Sequence, residues 1–163
     1  MNNTSKRGIF DSIVWSVSLL IAFGPLADNV LADSKGFSAT NATWKTECGS
    51  CHLAYPPNLL PAPAWRRMMA GLDKHFGTDA SVDARAAAEI GAFLESNAGA
   101  GKKRGSDSGT LRISETPWFR RKHDEVAAST WKNPRVQTPA NCAACHAGAE
   151  RGDFDEHAVR IPR

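Results

Sequence analysis

Residues 48–52 read Cys-Gly-Ser-Cys-His, and residues 142–146 read Cys-Ala-Ala-Cys-His. The two stretches use all four cysteines of the 163-residue chain, at one spacing, with a histidine directly after each pair. On a helical turn, positions i and i+3 share a face. Two sulfurs placed that way reach the two vinyl groups along one edge of a haem, and the next residue turns its imidazole beneath the iron. C-x-x-C-H is therefore a c-type haem attachment signal. Two matches that exhaust the cysteines predict two covalently bound haem c groups. Cys48, Cys51, Cys142 and Cys145 supply the thioethers, and His52 and His146 the proximal iron ligands.

Other uses of paired cysteines fit less well. A disulfide framework gains most by closing long loops, and C-x-x-C closed on itself gains little. A thioredoxin-like redox pair calls for a βαβ context, which the pattern lacks, and gives no reason for a histidine after both pairs. Zinc could take two Cys and two His, but the pairs lie about 90 residues apart and flank a Gly-rich stretch.

The N-terminal 32 residues read as an export signal. Lys6 and Arg7 form a basic start, Ile13 to Phe23 an apolar run too short for an ordinary bilayer span, and Gly24-Pro25 a helix break. Val30-Leu31-Ala32 predicts cleavage before Asp33, leaving a soluble periplasmic protein; an uncleaved anchor is the alternative. A net charge of +3 gives no nucleic-acid footprint.

After residue 32 the pattern predicts an all-α fold of about five short helices around the two haems, with little or no sheet. A first helix runs through Trp44 into the 48–52 motif and ends at Tyr55-Pro56-Pro57. A second starts near Pro61 to Ala64 and carries Trp65, Met68, Met69, Leu72, His75 and Phe76 at helical spacing, with Gly77 as its stop. A third, capped by Asp79 or Ser81, runs to about Asn97 with Val82, Ala86, Ile90, Phe93 and Leu94 on one stripe. Residues 99–109, Gly-rich and polar, read as a flexible linker between a first haem-binding half (33–98) and a second (110–163). Thr116-Pro117 reads as a helix cap followed by proline, and Thr138-Pro139 as the same device opening a short helix into the 142–146 motif. A weak strand hint lies at His157, Val159 and Ile161.

The sixth iron positions separate a carrier from a catalyst, because a closed iron passes electrons whereas an open one binds small ligands. Three histidines remain. His75 shares the apolar stripe of the second helix, and His123 shares a face with Phe119 and Val126, so both are expected as distal ligands. His157 sits among acids and reads as a solvated turn. Met68 and Met69 read as packing. Chain locality pairs His52 with His75 and His146 with His123, with a crossed arrangement left open.

With these residues in place the chain resembles the small bacterial dihaem cytochromes c, described as partners of an oxygen-binding sphaeroides haem protein. The matching stretches are W-K-T-E-C-G-S-C-H-L-A-Y-P-P-N-L-L-P-A (Trp44 to Ala62), H-F-G-T-D-A-S (His75 to Ser81), I-S-E-T-P-W-F (Ile113 to Phe119) with His123, and the closing C-A-A-C-H with I-P-R. The resemblance implies a periplasmic electron carrier with two low-potential bis-histidine haems, proximal at His52 and His146 and distal at His75 and His123. It also implies redox partners: a soluble haem protein and a membrane b561-type cytochrome. The competing reading is a small peroxidase-like haem enzyme or gas-binding cytochrome with one axial site open or displaceable. About 130 residues for two haems make a marginal protein core, so the cofactors are expected to be much of it.

Overall fold

The computed structural model describes residues 36–100 and 109–162. The export signal and most of the 99–109 stretch lie outside the described residues. Five α-helices follow one another: α1 Ala42–Gly49, α2 Ala62–Ala70, α3 Ala84–Ser96, α4 Pro117–Lys122 and α5 Ala128–Trp131. Short 3-10 turns punctuate the chain between and after them, and there is no strand among the described residues.

Around the first motif, α1, α2 and α3 pack a core of Trp44, Leu60, Ala64, Trp65, Ala86, Ile90 and Leu94. Asn41 starts α1 by accepting the Trp44 N–H at 2.7 Å, and its amide reaches across to Glu89 of α3 at 2.8 Å. The Trp65 indole N–H, buried with its ring, donates to the Pro57 carbonyl at 2.7 Å. Phe37, Trp44 and Phe93 close one end with edge and tilted ring contacts.

The second half has a sparser apolar interior, with Phe119, Val136 and Ala149 buried. Thr116 caps α4, accepting the Phe119 N–H at 3.1 Å while its own hydroxyl donates to Ile113 O at 2.8 Å. The described residues all belong to one compact unit. Leu111 and Ile113 pack on the first core, the Phe37 N–H donates to Gly152 O at 3.0 Å, and the Tyr55 hydroxyl donates to Ala140 O at 2.7 Å.

Several elements depart from the sequence pattern, each for a local reason. α1 stops at Gly49 instead of running through the motif. Glycine is a poor helix former, and the Ser50 hydroxyl takes the Glu47 carbonyl at 2.8 Å, so Cys51 and His52 sit on a turn. α2 ends at Ala70, where the Gly71 N–H turns back to Met68 O, and a 3-10 turn Leu72–Lys74 follows; His75 and Phe76 are therefore off the helix. Gly77, the expected stop, does adopt a left-handed φ of 98°. The cap of α3 is Asp83, whose carboxylate accepts from Arg85 and Ala86, while Asp79 holds a turn at Ser81. Thr138-Pro139 opens no α-helix: Thr138 accepts the Ala140 N–H, and the motif lies on the 3-10 turn Cys142–Ala144. The 157–161 hint resolves into the 3-10 turn Glu156–Ala158 and extended chain.

Candidate haem sites

Each C-x-x-C-H stretch meets one further histidine. His52, on the turn after α1, faces His75 with ring centres 6.1 Å apart and planes inclined by 22°. His146, after the turn Cys142–Ala144, faces His123 at the end of α4 with ring centres 6.2 Å apart and planes inclined by 78°. A metal–imidazole bond is about 2 Å long and the ring centre lies about 1 Å further on, so two imidazoles facing each other across one metal ion stand about 6 Å centre to centre. Both pairs have that spacing. The facing histidines are those adjacent along the chain, His52 with His75 and His123 with His146.

The ring nitrogens divide in the same way at both places. His52 Nδ1 lies 2.7 Å from Leu53 O and His123 Nδ1 lies 2.8 Å from Phe119 O, contacts that make each Nδ1 the protonated nitrogen and leave Nε2 with its lone pair free. In their partners, His75 and His146, Nδ1 is buried without a hydrogen-bond partner. Burial holds the pKa of both below the usual imidazole value, with the facing histidine adding to the effect, which favours the neutral, metal-binding form.

Aromatic rings frame the four imidazoles. Tyr55 stacks on His52 at 4.9 Å and Phe76 leans on His75 at 4.8 Å. Phe119 stacks on His123 at 4.0 Å, and Phe154 meets His146 edge-on at 5.4 Å. Beside His75 a cavity is lined by Met68, Phe76 and Leu111 together with Arg67 and Lys74, a mix of apolar and cationic groups suited to a flat apolar ring that carries anionic substituents. Arg112 lies over the Phe76 ring at 4.1 Å.

No disulfide joins any of the four cysteines. Burial pushes Cys48 and Cys142 up to about 11 and raises Cys145 as well. Such surroundings disfavour a metal-binding thiolate and suit a neutral thioether. Among the described residues no group of three or more His, Cys, Asp or Glu gathers into a metal cage, so the Cys₂His₂ zinc arrangement is not assembled. His157 is exposed and paired with Asp155 at 3.0 Å. Met68 and Met69 pack against the first core. These residues fit two covalently held haem groups.

Sequence reasoning placed the cysteines and histidines but passed over the aromatic frame. Tyr55 reads in the sequence only as part of a helix stop, and Phe154 carries no periodic signal. Phe119, four residues before His123, was legible as a face-sharing neighbour.

Comparison with known proteins adds an independent line. A family model described as dihaem cytochrome c matches residues 44–154. The diheme cytochrome c from Rhodobacter sphaeroides is 46% identical, with a TM-score of 0.66 over 73% of this chain and 100% of its own. The diheme cytochrome type c from Shewanella baltica OS155 is 43% identical, with a TM-score of 0.66 over 75% of this chain and 93% of its own. No curated protein matches.

Proposed function

Since this chain belongs to the dihaem cytochrome c family and carries two covalently bound haem c groups, we propose that it is a periplasmic electron carrier whose two irons are each closed by two histidines. The carrying observation is the pair of opposed imidazole couples, His52 with His75 and His123 with His146, each at the spacing of two ligands on one ion. When bound, each haem supplies a one-electron ferric/ferrous couple.

The chain's own residues do the rest. Cys48 and Cys51, and Cys142 and Cys145, hold the two groups as thioethers, so that neither is lost to bulk water. His52 and His146 would hold the two irons from within the motifs, and His75 and His123 would complete the two ligand sets. The carbonyls of Leu53 and Phe119 fix the tautomer and orientation of two of the four imidazoles and make them more basic. Two imidazoles stabilise ferric iron more than a Met/His pair does, which sets a low potential. Two histidines on each iron would leave no position for substrate, which supports a carrier over an enzyme.

The leader at residues 1–32 supports export, and among the described residues no helix is long and apolar enough to cross a membrane. The family resemblance supports a soluble haem protein and a membrane b561-type cytochrome as partners. Carbon monoxide added to the dithionite-reduced protein tests the ligation. An unchanged spectrum is expected, and stoichiometric binding at one haem would favour the gas-binding or peroxidase-like reading instead.

A further inference from the structure

Two haems with the same ligand types would be electronically alike if their imidazoles were presented alike. They are not: the planes are inclined by 22° at the His52/His75 pair and by 78° at the His123/His146 pair. Each pair contains one ring held on both its face and its edge. His52 lies against Tyr55 at an interplanar angle of 27°, with Nδ1 on Leu53 O, and Tyr55 is anchored through its hydroxyl to Ala140 O. His123 lies against Phe119 at 18°, with Nδ1 on the carbonyl of that same residue, one turn back along α4. Phe119 is itself buried and so cannot turn away.

An imidazole's filled π orbital stands perpendicular to its ring and overlaps one of the two dπ orbitals of a low-spin iron. Parallel rings raise the same orbital and split the two. Crossed rings raise one each and leave them nearly equal. The ferric hole is confined to one orbital in the first case and shared between two in the second.

We propose that Tyr55 and Phe119 are positioning residues that set the axial imidazole planes parallel at one haem and crossed at the other, making the two haems electronically inequivalent despite identical ligands. This rests on the bis-histidine ligation proposed above.

Low-temperature electron paramagnetic resonance of the fully ferric holoprotein tests it. The expected spectrum has two low-spin components of equal weight, one rhombic with three resolved features and one highly anisotropic with a single prominent low-field feature. His123→Ala removes the anisotropic component and keeps the rhombic one, and His75→Ala does the reverse. Tyr55→Leu shifts the rhombic component alone, whereas Tyr55→Phe, which keeps the ring face and loses only its anchor on Ala140 O, shifts it less. Phe119→Leu shifts the anisotropic component alone. Two coincident low-spin signals in the unaltered protein, or a rhombic component unmoved in Tyr55→Leu, would overturn the proposal. A high-spin component in the unaltered protein would instead overturn the ligation beneath it.

Discussion

Replacing Tyr55 by Phe removes one hydroxyl and keeps the ring that lies on His52. That hydroxyl donates to Ala140 O at 2.7 Å, between segments 85 residues apart, and so joins the loop after the first motif to the approach to the second. A single neutral hydrogen bond contributes about 0.5–1.5 kcal/mol, so Tyr55→Phe costs about 1 kcal/mol at neutral pH. The pH dependence carries a second signature. Burial, with a smaller contribution from Cys142, pushes the Tyr55 hydroxyl from 10.0 up to about 12. Between those values the folded state keeps a proton that the unfolded state has lost. The unfolded chain then binds fewer protons, and stability falls as pH rises. The full shift corresponds to about 2.7 kcal/mol. The ring is only partly buried and Cys142 is uncharged as a thioether, so about 1–2 kcal/mol is the working figure. The unaltered holoprotein should therefore lead Tyr55→Phe by about 1 kcal/mol at pH 7 and lose that lead above pH 10. Denaturant titrations of both holoproteins at pH 7, 9, 10 and 11 measure it. A constant gap across that range would refute the reasoning, since a buried hydroxyl that must ionise on unfolding cannot give one.

Three further perturbations address the fold. Thr116→Ala strips the cap of α4 and leaves the Phe119 N–H unpaired, for a loss of about 1–2 kcal/mol, whereas Thr116→Ser keeps both hydrogen bonds and most of the stability; paired thermal melts compare them. Gly152 has φ 72°, and a Cβ there would collide with the Phe37 carbonyl, so Gly152→Ala should lower the melting temperature and expose the Phe37 and Gly152 amides to hydrogen exchange. Replacing Cys142 and Cys145 by Ala together leaves the second half without its covalent haem. Hydrogen exchange should then accelerate across 110–162 while α1, α2 and α3 stay protected by their own core, and uniform loss of protection along the chain would contradict that division.

The two C-x-x-C-H stretches carried most of the chemistry in the sequence itself, because thioether attachment and proximal ligation depend on residues within one turn of each other. The all-α class was legible for the same reason: capping and periodicity are local, as Thr116-Pro117 and the Ala86, Ile90, Leu94 stripe of α3 show. Local signals misled where a helix end turned on competing hydrogen bonds. Gly71 ends α2 early, and that break takes His75 off the helix that periodicity assigned to it.

The sequence by itself determined the helical class and pointed to two haem c groups, and it supplied the candidate cysteines and histidines to hold them. Only the tertiary structure decided which histidines face each other, at what angle, and which aromatic rings hold them there. Facing and angle depend on contacts such as Tyr55 with Ala140, made between segments that have no neighbour relation along the chain. Period and spacing report which side of an element a residue occupies, and the rotation of a ring about its own bonds is set by what packs against it.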